Sequence, residues 1–408
     1  MLAALVLLIA VVVLGSTAFS AIYDNTPGGN DFIGRWQAAK NLIADLESPL
    51  GEESTKNYHG WMVYRNIPEW KENSGFMLPY FSIIPYLPFG LVNGILPATA
   101  LWSVFCLLGV VAVGLLSIKL SNWEGNLITW PAFILLVGFG FPFGLAIWNG
   151  DLGILAGGLI LAAALLIKDG RAGIAGVAFG LAMIKPGLLL LVFPFIVLWA
   201  LFKGLGTFLL NCFGTIVILS GIGLILDSEW IMNYLRQLLS DVYVWSPTSS
   251  FQIFEIWLGE NGRNIAMAVT IILGIYLLLE WAISFVNNEH HFLWTLGLTF
   301  LISTLIGLPT DIDHQVLFLL PVLLIAGAWE KRWKGFGKWL SLGFFLTLLI
   351  GDWRLVFGLL NAESETAMFH LYFSLPVVLL VGMVWTRWWY LRLVELPGER
   401  WRSFRRRG

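Results

Sequence analysis

Residues 98–118 read ATALWSVFCLLGVVAVGLLSI, without a single charged side chain. A helix that crosses a bilayer needs roughly 20 mostly apolar residues, so this stretch predicts a transmembrane helix. Similar stretches recur along the whole chain, which is 58% hydrophobic and only 12% charged. This composition excludes a soluble globular fold and predicts an all-α polytopic membrane protein. The predicted spans, about 12 in all, are residues 2–22, 98–118, 127–145, 151–168, 172–185, 186–203, 206–226, 264–286, 292–308, 314–329, 338–351 and 370–386.

Two apolar stretches need a separate interpretation. Residues 2–22 lie where a secretory signal peptide would, but no Lys or Arg precedes them, and a signal h-region is usually roughly 7–15 residues long. We therefore interpret them as a retained first span. Residues 76–96 contain Pro79, Pro85 and Pro88. Because each proline removes a backbone donor, we predict short helices that dip into the membrane interface there.

The positions of Lys and Arg predict the orientation of the spans. Basic clusters occur around Lys168, at 331–338 and at the C-terminus, and connections rich in Lys and Arg usually face the cytoplasm. Both termini then lie in the cytoplasm of a plasma (inner) membrane protein, and the basic tail is attracted to anionic membrane lipids. The whole chain, 1–408, is predicted to be a single integral membrane domain. It includes a first outer loop at 23–97, a second outer loop at 227–263 and a cytoplasmic tail at 387–408.

Polar residues at the ends of the predicted spans are the main functional signal. An ionisable group at membrane depth is costly, and for that reason it is usually functional. Under the orientation above, all of these residues fall on the outer side, which predicts a reaction site that faces one compartment. They are Asp31, Asn149, Asp151, Lys185, Asp311, Asp313 and His314.

The first outer loop contains a stretch with helical periodicity. Asp31 lies at its start, and Arg35 follows one turn later, where the two side chains can pair. Asp31 is either a helix cap alone or a carboxylate held at the membrane boundary to accept a proton. The pattern predicts an amphipathic helix lying on the outer membrane surface. Its apolar stripe consists of Phe32, Trp36, Ala39, Ile43 and Leu46.

Other outer positions also have a structural and a functional interpretation. Asn149 and Asp151 begin a span, where they are either helix caps or substrate contacts. Lys185 precedes Pro186 at a helix end, where it is either a snorkelling lysine or an anchored cation at headgroup depth. Gln252 ends a polar turn, and turn chemistry alone explains that segment as well as ligand binding does.

The segment Asp311–His314 contains Asp-x-x-His, a spacing that places two possible metal ligands one turn apart. A zinc site requires further ligands, which the sequence does not supply, so we predict no metal and no other cofactor. His314 is better suited to hydrogen-bond a phosphate or to act as an acid. Cys106 and Cys212 lie in apolar stretches and are expected to be buried hydrophobic side chains. No basic domain stands outside the membrane part, which excludes a nucleic-acid partner.

Three motifs together resemble one enzyme family. Asp31-Phe32 precedes an Ala-rich helix, an aromatic and proline-rich segment precedes the helix that contains Trp102, and Asn149-Gly150 precedes a Gly-rich span that ends in Lys185-Pro186. This order is similar to that in glycosyltransferase family 87, membrane enzymes of the GT-C fold that include polyprenyl-phosphate-mannose-dependent mannosyltransferases. The chain departs from the family at Asp151, where Gln is common, and in the Ser-Pro-Thr-Ser turn at 246–249.

The resemblance implies that a hexose, by default mannose, passes from a polyprenyl-phosphate donor to an acceptor hydroxyl on a glycolipid or glycan of the cell envelope. We predict an inverting transfer with Asp31 as general base. The predicted groups for the donor phosphate are Lys185, His314 and Arg35. The predicted sugar or acceptor contacts are Asn149, Asp151, Gln252, Asp311 and Asp313. The alternative is a secondary transporter with an outward-facing polar vestibule, against which stand the lack of an internal repeat and the large first outer loop.

Overall fold

A computed structural model describes residues 30–51, 78–236, 250–287, 289–306, 312–360 and 366–391. Every regular element within these ranges is helical and none is a strand, which confirms the predicted all-α class. The main helices are α1 (Asn30–Asp45), α2 (Ile95–Ser121), α3 (Thr129–Phe139), α4 (Phe141–Asn149), α5 (Gly153–Lys168), α6 (Ala172–Leu181), α7 (Val192–Phe202), α8 (Gly206–Leu226), α9 (Ser250–Leu258), α10 (Glu260–Val286), α11 (Glu289–Leu305), α12 (Leu319–Leu360) and α13 (Thr366–Leu391). Short helical segments connect several of them: Tyr80–Tyr86, Leu87–Gly90, Ala182–Ile184, Pro186–Leu189 and Ile312–Phe318.

Apolar helices of membrane-spanning length support the predicted membrane protein. Within the described ranges, six stretches are long and apolar enough to cross a bilayer: Ile95–Ser121, Thr129–Asn149, Gly206–Leu226, Glu260–Val286, Gly335–Gly358 and Phe373–Leu391. Shorter apolar helices are Gly153–Lys168, Ala172–Ile184 and Val192–Phe202. The predicted first span at 2–22 lies outside the described residues. The total number of spans stays a prediction.

The helical run α12 reverses direction although all its residues are helical. The Ser341 hydroxyl donates a hydrogen bond of 3.3 Å to the Ala326 carbonyl, and the ring centroids of Trp329 and Phe344 lie 5.2 Å apart. Each of these pairs is separated by 15 residues, and in a straight helix such residues would be about 22 Å apart. The chain therefore folds back between the two predicted spans at 314–329 and 338–351. The prediction was wrong about their connection, which is helical rather than a loop.

The apolar stripe of helix α1 packs mainly against protein; its position at the membrane surface stays a prediction. The ring of Phe32 stacks on Trp102 with centroids 5.3 Å apart, and Trp36 Nε1 donates a hydrogen bond of 2.9 Å to the Phe89 carbonyl. The first half of the apolar stripe is buried, because the aromatic segment after residue 78 and helix α2 cover it. The exposed members of the stripe are Ile43 and Leu46.

Polar contacts between connections group at two ends of the helices. At one end, the contacts involve connections that are predicted to be cytoplasmic. Lys168 donates a hydrogen bond to Asn122, Lys203 donates one to the Asn287 carbonyl, and Arg387 donates one to Glu280. The other end joins predicted outer segments, through Ser48 with Asp227 and Trp257 with His370. The structure thus pairs the connections as the predicted alternation of spans requires. Which end faces the cytoplasm stays a prediction.

Candidate active site

The centre of the candidate site is the turn between α4 and α5. Gly150 has a left-handed φ of 73°, a conformation that glycine adopts without steric cost. Its carbonyl accepts a hydrogen bond of 2.8 Å from Trp102 Nε1. A Cβ at this position would lie 2.8 Å from the Trp102 ring and 2.9 Å from Phe32 Cβ. The turn is therefore held tightly against α1 and α2, and Asp151 follows it directly.

The Asp151 carboxylate is enclosed by donors from three segments. Its Oδ1 accepts a hydrogen bond of 2.7 Å from the Gly153 N–H and another from the Lys185 ammonium. Its Oδ2 lies 3.4 Å from His314 Nε2. Asp151, Lys185 and His314 are all buried. One carboxylate thus holds together two potential cations that are distant in the sequence, and we call these three residues the ion cluster.

The environment of Asp151 keeps its carboxylate ionised. Burial alone raises the pKa of Asp151, because a charge is poorly solvated inside protein. The charges of Lys185 and His314, with the hydrogen bonds from Lys185 and the Gly153 N–H, outweigh burial and hold the pKa below its usual range. With both partners protonated, the ion cluster carries a surplus positive charge. Such a surplus suits an anionic ligand.

The backbone around Lys185 explains why this lysine points inward. The helical segment Ala182–Ile184 ends at Lys185, which has extended torsions (φ −130°, ψ 78°), and Pro186 begins the next segment. The Ser82 hydroxyl donates a hydrogen bond of 2.6 Å to the Ile184 carbonyl, which fixes this break. The lysine side chain is only 8% exposed. The snorkelling interpretation is therefore wrong, because the side chain is enclosed and contacts Asp151; its position at headgroup depth stays a prediction.

His314 enters the cluster from the segment Ile312–Phe318. Its ring packs on the start of α5, where a Cβ added to Gly153 would lie 2.6 Å from His314 Cδ2. Glycine at 153 therefore allows the imidazole to approach the Asp151 carboxylate. The imidazole and the Lys185 ammonium face different oxygens of one carboxylate.

A second polar group lies beside the ion cluster. Arg35 Nη2 is 3.7 Å from Asp31 Oδ1, and Arg35 Nη1 donates a hydrogen bond of 3.4 Å to the Tyr86 hydroxyl. Burial raises the pKa of Tyr86, the nearby Arg35 lowers it, and both Asp151 and Asp31 raise it further. Tyr86 thus feels the charges of both groups. The structure brings the predicted base and the predicted phosphate-binding cations into one region.

The two carboxylates of this region differ in accessibility. The Asp31 side chain is 31% exposed, whereas the Asp151 side chain is fully buried. A partly exposed carboxylate can reach a substrate hydroxyl, whereas a fully buried one is shielded from a substrate by the protein around it. This difference in exposure suits Asp31 to contact with a substrate and Asp151 to contacts within the protein.

The structure describes the other predicted site residues only in part. Asn149 is the last residue of α4 and is half-buried. Gln252 lies in α9 and Asp313 in the segment Ile312–Phe318, but their side chains are outside the described part. Asp311 lies outside the described residues altogether. The roles of these four residues stay predictions.

Sequence reasoning missed Tyr86. Its segment was singled out only as an aromatic and proline-rich stretch, in which a tyrosine is indistinguishable from its apolar neighbours. The signal that reveals it is spatial: its ring stacks on Trp102 with centroids 4.6 Å apart, while its hydroxyl contacts Arg35.

The residues of the site do not form an evident metal centre. Within the described ranges, no group of three or more His, Cys, Asp or Glu side chains is arranged to hold a metal ion. In the ion cluster the third member is Lys185, and a protonated ammonium has no lone pair to offer a metal. The expectation that the protein works without a metal stays a prediction.

The fold and site define an integral membrane protein with a polar centre where several helices end. The sequence model of glycosyltransferase family 87 matches residues 76–307, more than half of the chain. The chain therefore belongs to glycosyltransferase family 87 and is a membrane glycosyltransferase, which confirms the resemblance noted in the sequence. The match includes Asp151 and Lys185, whereas Asp31 and His314 lie beyond its ends. No curated protein and no solved structure matches the chain.

Proposed function

We propose that the protein transfers a hexose, with mannose as the first candidate, from a polyprenyl-phosphate donor to an acceptor hydroxyl at the outer face of the plasma membrane. The observation that carries this proposal is the proximity of a partly exposed carboxylate, Asp31, to a buried cluster in which one carboxylate contacts two basic side chains. A lipid-linked donor has its chain in the bilayer and its phosphate at the boundary. Cations anchored at helix ends suit such a phosphate.

The reaction assigns Asp31 the role of general base. The acceptor hydroxyl loses its proton to the Asp31 carboxylate while its oxygen bonds to the anomeric carbon of the sugar. The bond between that carbon and the phosphate oxygen breaks on the opposite face, so the configuration inverts. The products are the glycosylated acceptor and a polyprenyl phosphate.

The leaving phosphate gains negative charge as its bond to the sugar breaks. Lys185, His314 and Arg35 are the groups proposed to stabilise that charge. All three already lie in hydrogen-bonded or charged contacts, so little reorganisation is needed when the donor binds. Preorganised donors of this kind lower the barrier because they are fixed before the charge develops.

The remaining features of the proposal follow from the family and the sequence. Asn149, Gln252, Asp311 and Asp313 contact the sugar or the acceptor, and the acceptor is a glycolipid or glycan of the cell envelope. The helices form a GT-C arrangement with both termini in the cytoplasm. No metal takes part in the transfer.

Transfer by the full chain in lipid nanodiscs tests the proposal. The donor is radiolabelled polyprenyl-phosphate mannose, and the acceptor is a lipid extract of the source cell. We expect wild type to form a labelled product and Asp31→Asn to be about 10²–10⁴-fold slower, the usual contribution of a general base. Asp45→Asn is the matched control, because it removes the same charge from the exposed end of α1.

Two outcomes contradict parts of the proposal. A folded Asp31→Asn protein that transfers at a near-normal rate excludes Asp31 as the base. No product from folded wild type, together with uptake of a solute into proteoliposomes, favours the transporter instead.

A further inference from the structure

We propose that Asp151 is a positioning residue that holds the Lys185 ammonium and the His314 imidazole in place for the phosphate of the lipid-linked donor, and that it does not contact the sugar. This inference rests on the proposed function and replaces the sequence-based role of Asp151 as a sugar or acceptor contact. It assigns the carboxylate an effect on phosphate binding that is exerted through its two basic neighbours.

Accessibility argues against a direct contact with the substrate. The Asp151 side chain is fully shielded, whereas the Asp31 side chain in the same region is 31% exposed. Oδ1 accepts hydrogen bonds from Gly153 and Lys185, and Oδ2, although it makes no hydrogen bond within the described part of the chain, lies 3.4 Å from the His314 imidazole in a fully buried position. A sugar hydroxyl would have to displace part of this enclosure to reach the carboxylate.

The charge of Lys185 gives Asp151 a function. A buried ammonium is poorly solvated, and burial favours its neutral form. A hydrogen-bonded carboxylate compensates for that loss of solvation, but only while both partners remain. Asp151 therefore keeps Lys185 protonated in the absence of ligand. A neutral amine would attract a phosphate far less.

The backbone around the cluster fixes the direction of these groups. Asp151 is held between the left-handed Gly150 and the N–H of Gly153, and Lys185 between two short helical segments. Both basic nitrogens contact the same carboxylate, so they lie close enough together to serve one phosphate. The carboxylate thus fixes the spacing of the two donors before the ligand arrives.

Binding of a sugar-free lipid phosphate separates positioning from sugar contact. The probe is undecaprenyl phosphate, titrated against the full chain in nanodiscs made of neutral lipid. For Asp151→Asn we expect affinity for this probe to fall about tenfold to a hundredfold, the effect of losing a charge-assisted hydrogen bond. Simple removal of a negative charge near an anion would instead tighten binding, so the direction of the change is diagnostic. Asp227→Asn, which removes a carboxylate at the same end of the molecule outside the cluster, is expected to have no effect.

Three further variants test whether Asp151 acts through Lys185 and guard against misfolding. Asp151→Glu keeps the carboxylate and should recover part of the lost affinity. Lys185→Met should weaken binding by itself, and adding Asp151→Asn to it should cost less than Asp151→Asn costs alone, because only the effect through His314 remains. The double variant removes both buried charges together, which protein interiors tolerate better than one unpaired charge.

Each outcome supports or overturns a stated claim. Unchanged or tighter binding of undecaprenyl phosphate to Asp151→Asn overturns the positioning role. Unchanged binding of that probe with weakened binding of the sugar-bearing donor restores the sugar contact. Absence of binding to wild type contradicts the proposed donor itself, and this inference fails with it.

Discussion

At the residue scale, Gly153 packs tightly against His314. A Cβ at 153 would lie 2.6 Å from His314 Cδ2 and 3.1 Å from Asp151 Oδ2. The same helix offers a contrast, because a Cβ at Gly158 would lie 3.8 Å from Val113, an ordinary contact. An added methyl group would therefore clash at Gly153 but make an ordinary contact at Gly158, in the same helix α5.

We expect Gly153→Ala to push the imidazole away from the carboxylate. Overpacking typically costs about 1–3 kcal/mol, and here the displaced group is a proposed phosphate donor, so transfer should fall together with thermal stability. Gly158→Ala should leave both nearly unchanged. Unfolding followed by tryptophan fluorescence, with the nanodisc transfer assay, measures the two effects. Equal behaviour of the two variants would show that the site tolerates a shift of His314.

The sequence identified the members of the ion cluster but not their contacts. Asp151 and Lys185 are 34 residues apart, and their local patterns fit a helix cap and a snorkelling lysine as well as a functional pair. Only the fold brings the Gly150 turn and the Pro186 break to the same place. The same limit applies to the burial of Asp151, because a sequence shows that a carboxylate lies at a helix end but not that it is enclosed.

At the scale of elements, Trp102 joins helix α2 to the turn that carries Asp151. Its indole N–H donates to the Gly150 carbonyl at 2.8 Å, and the side chain is 1% exposed. Trp353 makes a similar hydrogen bond of 2.7 Å to the Phe139 carbonyl but is 37% exposed. A carbonyl enclosed by packed protein has no replacement donor, whereas the surroundings of the partly exposed Trp353 can relax when the indole is removed.

Trp102→Phe should therefore destabilise the protein more than Trp353→Phe, although both remove the same atoms. Leaving the Gly150 carbonyl without its donor costs about 1–3 kcal/mol, and the freed turn should also lower transfer. We expect the midpoint of thermal unfolding in nanodiscs to fall clearly for Trp102→Phe and little for Trp353→Phe. A larger loss for Trp353→Phe would mean that the turn is held mainly by ring packing.

Element type was predictable, but the surroundings of each face were not. Long apolar runs predicted helices, and the three prolines predicted short segments between residues 76 and 96. The stripe of α1 was assigned to the membrane surface, yet Phe32 and Trp36 pack on protein. Lipid tails are as apolar as leucine, so hydrophobicity does not distinguish a face against lipid from a face against another helix.

At the scale of the whole molecule, the pairing of connections at two ends fits an alternating path through a bilayer. The segment after α1 contacts the end of α8, and the end of α5 contacts the end of α2. The ion cluster, Asp31 and Arg35 lie at the end where α4 stops and α5 begins. Under the orientation proposed from Lys and Arg, all of these residues therefore face the outer compartment together.

Cysteine labelling tests that orientation directly, because Cys106 and Cys212 are both buried and should give little background. Leu46, just after α1, is 79% exposed, and Lys331 is exposed in the basic connection of α12. With a membrane-impermeant maleimide, we expect Leu46→Cys to react in intact cells and Lys331→Cys to react only after permeabilisation. The reverse pattern would move the site to the cytoplasmic face, where nucleotide-linked sugars compete as donors, and would contradict the lipid-linked donor proposed for the outer face.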